Sequence, residues 1–300
     1  MYYWGAWNGK DKLIFIGLLI SFLLILRNTE AVQVDEQVSQ LLQQPDQSKE
    51  VNFIVKFKAD VQDQQLTQVR KIRDFKDQRV KLVRSKIADV QQLISDPRFE
   101  YLELDQQTTI PNEVALNPQE QEAEEIPWNI KKTNAHTAWQ TVRGKDVTVA
   151  IIDSGVDYMH PDLQERVTGG HSLVDNDYKD LHGHGTLVAG VLASTINDMG
   201  IVGIAPEVNI YALKITNTQT ADLSMAIAAV EEAVEKKVDI IVMSFGFPFY
   251  SQIIKDLVDE AYAQGILLVA ASGNSGDTSM MYPAKYGNVI AVGATNADDG

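Results

Sequence analysis

The second half of the chain alternates short apolar runs with stretches of helical spacing. The apolar runs lie at residues 147–152, 208–215, 238–244, 266–271 and 289–292, and they are continuous rather than alternating. Continuous apolar runs are typical of strands that are buried on both faces. Residues 221–236 and 252–263 supply the helical spacing between the runs. The pattern therefore predicts an α/β fold with a doubly wound, mostly parallel sheet and helices on both faces.

Polar residues follow three of these runs, and sites in open parallel sheets form at the carboxyl ends of the strands. Asp153, Ser244 and Asn274 each lie at or just after a predicted strand end. Asp153 directly follows two isoleucines, so its carboxylate needs a partner, and a hydrogen-bonded histidine is the natural one. Taken alone, an aspartate in an Asp-Ser-Gly turn could also serve only to cap that turn.

His184 is the candidate general base, at the predicted start of a glycine-containing helix with the sequence HGTLVAG. It would take a proton from a hydroxyl group while Asp153 fixes its tautomer and stabilises the imidazolium. His182, two residues earlier, is the competing candidate for the base. His182 could also join Asp180 and His184 in a metal site, although no further ligand is evident and the spacing fits no helical pair.

Three motifs together resemble the subtilisin-like serine proteases (subtilases, peptidase family S8). They are VAIIDSGVD at 149–157, HGHGTLVAG at 182–190 and ASGNSG at 271–276. The catalytic triad of that family runs Asp, His, Ser along the chain. The resemblance implies a serine endopeptidase that hydrolyses peptide bonds in proteins, with Asp153 and His184 as two members of the triad and Asn274 as the side-chain donor to the oxyanion.

The resemblance also implies where a peptide substrate would lie. Ser244, Phe245 and Gly246 would line the main specificity pocket and pair with the substrate backbone. The opposite wall of the family's cleft contains glycine, whereas residues 216–220 of this chain contain none. We therefore expect that wall to be reshaped.

The catalytic serine is missing from the sequence as given. The family's nucleophile lies in Gly-Thr-Ser-x-Ala, and these 300 residues contain no such motif. Ser279 is five residues after Asn274 and precedes a segment, 282–294, that the family places before its nucleophile, so we expect Ser279 not to be catalytic and this chain alone to be inactive. The chain is then either an incomplete piece of a longer protease or a short product that binds peptides or a partner without cutting them. We expect the former, because a sheet that stops midway would expose apolar surface and an unpaired edge.

A calcium site is a further implication of the resemblance. Asp162 and Asn197 would supply side-chain oxygens, and Thr195, Met199 and Ile201 would supply backbone carbonyls, since a hard cation takes oxygen ligands. A further ligand would fall near Glu124. The alternative is that residues 195–201 form an ordinary surface loop.

The N-terminus indicates export. Lys10 and Lys12 precede an apolar run at 13–26, which is followed by Arg27. As a helix this run would measure about 21 Å, short of a hydrocarbon core of about 30 Å. We therefore predict a secretory signal peptide within residues 1–31 and a secreted protein. A retained membrane anchor with the protein facing outside is the alternative.

Between the N-terminus and the predicted sheet, composition suggests three segments. Residues 32–50 are polar and read as a linker, and residues 111–125, with two prolines and five acids, as a second one. Strand-like patterns at 51–57 and 99–104 flank a charged, helix-favouring stretch at 64–90, which predicts a small α+β unit at 51–110. This unit resembles the pro-domain that assists folding of a subtilase and then occupies its cleft, and residues 126–300 would form the N-terminal part of the catalytic domain.

Charge and composition exclude some functions. The net charge of −15 argues against a nucleic-acid partner, because phosphate would be repelled. Residues 51–110 carry 11 basic and 9 acidic side chains, whereas residues 126–300 carry 11 basic and 21 acidic ones. This difference suggests two units with complementary surfaces. The absence of cysteine excludes disulfides and zinc–thiolate sites.

Overall fold

The computed structural model describes residues 32–62, 66, 69–111, 124–276 and 278–298. The predicted signal peptide or anchor, residues 1–31, lies outside the described residues, as does most of the second predicted linker. Within the described part of the chain, no helix is long and apolar enough to cross a membrane.

The first part of the chain forms a five-stranded sheet, here called the N-terminal sheet. Its strands are β1 (Gln33–Val34), β2 (Glu50–Phe57), β3 (Arg70–Asp74), β4 (Val80–Lys86) and β5 (Phe99–Leu104), in the spatial order β1-β5-β2-β4-β3. Strand β1 is parallel to β5, and the other neighbours are antiparallel. Two helices, α1 (Glu36–Leu41) and α2 (Ile87–Ser95), cover one face through a core that includes Val38, Phe53 and Val90.

The interpretation of residues 32–50 as a linker is wrong, because they contain β1 and α1. Val38 and Leu41, three residues apart, form the buried face of the helix, and the polar residues around them face solvent. Asp35 begins the helix by accepting a hydrogen bond from the Val38 amide at 2.6 Å. Its second carboxylate oxygen accepts from the Leu104 amide at 3.0 Å, which ties the helix to β5.

The prediction of a helix-favouring stretch at 64–90 is also wrong for most of its described residues, which form strands β3 and β4. Strand β4 pairs with β2 from Val80 to Lys86 and with β3 on its other side. Tertiary pairing overrides the helical propensity of the charged residues here, since β4 pairs with a strand on each side and β3 pairs with β4. The strands predicted at 51–57 and 99–104 are confirmed.

The second part of the chain contains the predicted parallel sheet. The chain first forms the short strand β6 (Gln107–Thr109) and the helices α3 (Trp128–Lys132) and α4 (Ala135–Ala138). Six strands then build the parallel sheet: β7 (Thr148–Asp153), β8 (Val167–Ser172), β9 (Asn209–Lys214), β11 (Ile240–Met243), β12 (Leu267–Ala271) and β13 (Ile290–Val292). They pair in the order β13-β12-β11-β7-β9-β8, all parallel, while β10 (Thr220–Asp222) pairs only with β6.

Helices cover both faces of this sheet, which confirms the doubly wound fold. Alternate residues of β7 point to opposite faces: Val149 and Ile151 lie in one core with helix α5 (His184–Ala193), and Ala150 and Ile152 lie in another with α6 (Leu223–Glu235) and α7 (Gln252–Ala263). Because the strands are parallel, the residues after β7, β11 and β12 lie at one edge of the sheet. This edge carries Asp153, Ser244 and Asn274.

The N-terminal sheet packs against the outer side of α6 and α7. Ile54 and Leu82, on the sheet face opposite α1 and α2, belong to the same buried core as Ile227 of α6 and Ile253 of α7. The two helices are therefore enclosed between the two sheets, and the chain leaving β5 is carried to the edge where the candidate site lies.

Candidate active site

Asp153 and His184 form a buried pair at the carboxyl edge of the parallel sheet. Asp153 is the last residue of β7 and is fully buried, and His184 is the first residue of α5 and is 6% exposed. The Nδ1 atom of His184 lies 2.8 Å from Oδ1 and 2.9 Å from Oδ2 of Asp153. The Ser154 amide donates to Oδ1 at 2.7 Å. A carboxylate held on Nδ1 leaves Nε2 as the atom that can accept a proton, which is the arrangement required of a general base.

Two glycines allow this close approach of helix and strand. A Cβ atom on Gly185 would lie 2.1 Å from the Gly155 carbonyl oxygen and 3.1 Å from Cβ of Asp153, so a side chain at this position would displace the helix. Gly155 itself adopts a φ of +101°, which favours glycine. The spacing of these glycines in the sequence therefore reflects the packing of α5 against the end of β7.

The competing assignments for His182 and Asp180 are not supported. Nδ1 of His182 is buried and has no hydrogen-bond partner among the described residues, whereas His184 has the carboxylate partner that a general base requires. Among the described residues, no group of three or more His, Asp or Glu side chains is placed to hold a metal ion. Both oxygens of Asp180 accept hydrogen bonds from protein groups instead.

A segment of the chain's own N-terminal part lies in the candidate substrate cleft. We call residues 107–110 the cleft segment. It pairs antiparallel with β10 on one side, Thr109 opposite Thr220, and with Gly246 on the other. The Ile110 amide donates to the Gln219 carbonyl at 2.6 Å, and the Thr108 hydroxyl donates to the Gly246 carbonyl. The cleft segment therefore lies between the two walls expected from the sequence, one containing residues 216–220 and the other containing Gly246.

The side chains of the cleft segment alternate between buried and exposed. Thr108 and Ile110 are each 2% exposed, while Thr109 faces solvent. Ile110 lies in the same core as Phe245, one of the predicted substrate-binding residues. The wall expected to be reshaped keeps its pairing capacity without glycine, because backbone groups alone make these contacts. Sequence reasoning missed this segment, and its only signal was a run of β-favouring residues, Thr-Thr-Ile, after β5.

Asn274 lies in a bend after β12, on the loop that faces Gly246 across Met281. A Cβ atom on Gly246 would lie 2.7 Å from Cβ of Met281, and one on Gly273 would lie 3.1 Å from its Cγ. The Met281 amide donates to the Ser272 carbonyl at 3.0 Å. Met281 thus joins the Ser244-Phe245-Gly246 wall to the Asn274 loop, and both glycines are needed to admit its side chain.

The predicted calcium ligands lie together at one loop. Asn197 donates to Asp162 Oδ1 at 3.2 Å, and the Ile201 amide lies 3.4 Å from Asp162 Oδ2. Glu124 reaches the same loop and accepts from the Asn197 amide at 2.7 Å. Thr195, whose amide donates to the Asp162 carbonyl, has a buried hydroxyl without a partner in the described part of the chain. Met199 lies on the same turn, where its amide donates to Asn197 Oδ1.

Three carboxylates join the N-terminal sheet to helices α6 and α7; Glu103 and Glu231 are buried, and Asp105 is half-buried. Glu103 accepts hydrogen bonds at the start of α7, Asp105 accepts from the amide and hydroxyl of Ser224 at the start of α6, and Glu231 accepts from the Lys76 amide. Burial raises the pKa of Glu103 to about 7 and the pKa values of Asp105 and Glu231 to about 6 each. Because all three pKa values are raised, these groups stabilise the contact between the N-terminal sheet and the two helices more at acidic pH than at alkaline pH.

A doubly wound parallel sheet with a buried carboxylate–imidazole pair at its carboxyl edge is the arrangement expected of a subtilisin-like α/β protein. The sequence model of the Subtilase family matches residues 144–300. The chain is 41% identical over 192 residues to an intracellular serine protease of Paenibacillus polymyxa, which covers 60% of this chain and 59% of the relative. It is 40% identical over 219 residues to subtilisin E of Bacillus subtilis, covering 70% and 54% respectively. The minor extracellular protease Epr of Bacillus subtilis is 42% identical over 174 residues, covering 56% of this chain and 26% of the relative.

The chain belongs to the subtilase family. It spans about 60% or less of the length of these curated relatives.

Proposed function

We propose that this chain is part of a serine endopeptidase that hydrolyses peptide bonds in proteins, with Asp153 and His184 as two members of the catalytic triad. The observation that carries the proposal is the contact of His184 Nδ1 with both carboxylate oxygens of Asp153, at 2.8 and 2.9 Å in a buried site. His184 Nε2 takes the proton of the hydroxyl of the catalytic serine, which lies outside these 300 residues, as the serine oxygen attacks the substrate carbonyl. Asp153 keeps the imidazole in the required tautomer and stabilises the imidazolium that forms.

Asn274 is the proposed donor to the oxyanion of the tetrahedral intermediate. Its loop follows β12 at the edge that also carries Asp153, and Gly273 on this loop adopts a φ of +118°. Removing the corresponding side-chain donor lowers kcat by about 10²–10³, a value established for subtilisin itself. An Asn274→Leu change would therefore reduce turnover of the active enzyme by a similar factor.

Ser279 is not the proposed nucleophile, and these 300 residues alone are expected to form no acyl-enzyme. The test is incubation of the chain with a serine-directed fluorophosphonate and a chromogenic peptide, beside Ser279→Ala as the matched control. Neither label nor turnover is expected from either protein. Labelling that disappears in Ser279→Ala would contradict this assignment. A protein that also carries the Gly-Thr-Ser-x-Ala motif should be labelled at that serine, and only when Asp153 and His184 are intact.

Residues 33–110 are proposed to act as the pro-domain, an intramolecular folding aid and inhibitor of the same chain. The cleft segment supports this role because it makes the main-chain hydrogen bonds that an extended substrate would make with both walls. Protein and peptide substrates would bind by the same strand addition, alongside Ser244, Phe245 and Gly246. The second candidate function is peptide binding without hydrolysis, and it predicts peptide affinity without turnover in the full-length gene product.

Calcium is the proposed structural cofactor. The donor set suits a hard cation: the carboxylates of Asp162 and Glu124, the amide oxygen of Asn197 and the carbonyls of Thr195, Met199 and Ile201. The partnerless hydroxyl of Thr195 supports a polar group at this loop. Bound calcium would hold the segment after residue 123 against the loop that follows α5, and it takes no part in the chemical step.

Export through a signal peptide is the proposed localisation route. The support is the charged start and short apolar run at 1–31. The relatives include proteins named as intracellular and as extracellular, so the N-terminal pattern carries this proposal. Fractionation of an expressing bacterium, with N-terminal sequencing of the mature product, tests it. Retention of residues 1–31 in the membrane fraction would favour the anchor.

A further inference from the structure

The loop between β8 and α5 contains a carboxylate that accepts five hydrogen bonds. Asp180 is 8% exposed. Its Oδ1 atom accepts from the Ser154 hydroxyl and from the amides of His182 and Gly183, each at 2.9 Å. Its Oδ2 atom accepts from the Thr186 amide at 2.9 Å and from the Thr186 hydroxyl at 2.6 Å. Five donors occupy the roughly four lone-pair sites of one carboxylate, so the protein's own groups use the full acceptor capacity of Asp180.

These donors come from both segments that supply the catalytic pair. Ser154 directly follows Asp153, and its hydroxyl, while donating to Asp180, accepts from the Gly185 amide at 3.0 Å. Thr186 and Gly185 directly follow His184 in helix α5. A single buried charge therefore bridges the end of β7 and the start of α5.

The hydroxyl of Thr186 extends this bridge to the turn after Asp153. It donates to Asp180 and accepts from the Asp157 amide at 2.9 Å. The negative charge of Asp180 also lies at the N-terminus of α5, where it is favoured by the unpaired amides and the helix dipole. The contacts of this carboxylate with Ser154 and Thr186 thus act on the relative placement of β7 and α5.

The preceding part of the loop is fixed by a buried ammonium group. Lys214 is 1% exposed, and its Nζ atom donates to Asp175 Oδ2 at 3.0 Å and to the carbonyls of Asp177 and Lys179 at 3.1 and 2.9 Å. Lys214 lies on β9 directly opposite Asp153 in the sheet register. The loop is therefore anchored immediately before Asp180, next to the strand that carries the catalytic carboxylate.

We propose that Asp180 is a positioning residue that sets the distance and orientation between Asp153 and His184. The catalytic consequence rests on the proposed function, whereas the geometric role does not. Misplacement of a catalytic group by about 1 Å can cost about 10²-fold in rate. An asparagine at this position would place an amide donor against the amide and hydroxyl of Thr186, which are donors themselves, and so would displace the start of α5.

The test compares Asp180→Asn with Asp177→Asn in the full chain. Asp177 is an exposed residue of the same loop whose carboxylate contacts Tyr158 and the Lys179 amide and no residue of α5. The readout is the NMR resonance of the His184 Nδ1 proton, which a hydrogen bond to a carboxylate moves downfield, with Asp153→Asn to assign it. Asp180→Asn should shift or broaden this resonance, and Asp177→Asn should leave it in place.

In a catalytically competent protein that includes this chain, Asp180→Asn should lower kcat about 10–100-fold with KM changed less than about threefold. Ser154→Ala removes the hydroxyl that contacts Asp180 and the Gly185 amide, and it serves as the second variant if Asp180→Asn does not fold. It should shift the His184 resonance and lower kcat less than Asp180→Asn does, and the effects of the two substitutions together should be less than additive. An unchanged His184 resonance in both Asp180→Asn and Ser154→Ala would overturn the proposal. Absence of turnover in the unmodified full-length gene product, with the NMR shifts as expected, would refute the proposed function alone.

Discussion

Replacing Glu103 by glutamine should remove most of the pH dependence at the contact between the N-terminal sheet and helix α7. Glu103 is 4% exposed, and its carboxylate accepts from the Ser251 hydroxyl at 2.6 Å and from the amides of Gln252 and Ile253 at 2.8 and 3.2 Å. The glutamine keeps these contacts. Its carbonyl oxygen can accept from both amides, and its NH₂ group can donate to the Ser251 oxygen. The main difference is that glutamine carries no charge.

The expected magnitude follows from the pKa of Glu103. Burial raises this pKa from 4.5 to about 7 in the folded protein. A raised carboxyl pKa means that the folded state binds the proton more tightly than the unfolded state does. The contribution of Glu103 is therefore fully favourable below pH 4.5 and is lost as pH rises through 7. A difference of about 2.5 units corresponds to about 3 kcal/mol of unfolding free energy across this window.

The assay is urea unfolding of the unmodified chain and Glu103→Gln at intervals from pH 4.5 to 8. The unmodified chain should lose about 3 kcal/mol relative to the variant over this range, because Asp105 and Glu231, with pKa values of about 6, are present in both proteins and cancel. A difference that stays constant with pH would refute the reasoning. A difference of opposite sign would mean that the three donors stabilise the charged form more than burial destabilises it.

Three further predictions concern packing and the calcium loop. Gly185→Ala should lower the unfolding free energy by at least about 1–3 kcal/mol, since its Cβ would lie 2.1 Å from a carbonyl oxygen. Gly190→Ala in the same helix is the control: its Cβ would meet one side-chain atom at 3.5 Å, and the change should be neutral or stabilising by up to about 1 kcal/mol. Equal effects of the two substitutions in urea unfolding would contradict the packing argument. Val38→Ala should cost about 2 kcal/mol because Val38 is fully buried, and a loss below about 0.5 kcal/mol would mean that this stretch is a linker after all. Calcium at 100 times its Kd should raise the free energy of unfolding of the unmodified chain by about 2.7 kcal/mol, and that of Asp162→Asn by much less, as measured by urea unfolding. An identical gain in both proteins would mean that calcium binds elsewhere.

The parallel sheet and the contact between Asp153 and His184 were predictable because their signals are local. The strands β7, β9, β11, β12 and β13 of the parallel sheet lie in mainly apolar runs, which are typical of strands in doubly wound sheets. Strand β8 was missed because its sequence, VTGGHS, lies at the edge and contains two glycines. Asp153 and His184 were predictable because each lies within a recognisable glycine-containing motif, one at a strand end and one at a helix start.

The N-terminal unit was less predictable because its structure depends on distant partners. Helix α1 has only Val38 and Leu41 as buried residues, and a six-residue polar helix gives little periodic signal. The cleft segment contains only the three-residue strand β6, which pairs with residues more than one hundred positions away. Asp180 was considered only as a metal ligand, since its five donors become visible only when the end of β7 and the start of α5 are brought together.

The cleft segment has a consequence for how any other peptide would reach the site. Because Thr109 is joined to the walls it contacts by the same polypeptide, it competes at an effective concentration set by the chain, on the order of millimolar for short flexible connections. A free peptide with the same intrinsic affinity would therefore occupy little of the cleft at micromolar concentration. Cutting the chain after this segment would break that connection, so rebinding would become bimolecular and would weaken on dilution. Under the proposed pro-domain role, dissociation and dilution of the released segment would then govern activation, without any change in the geometry of Asp153 and His184.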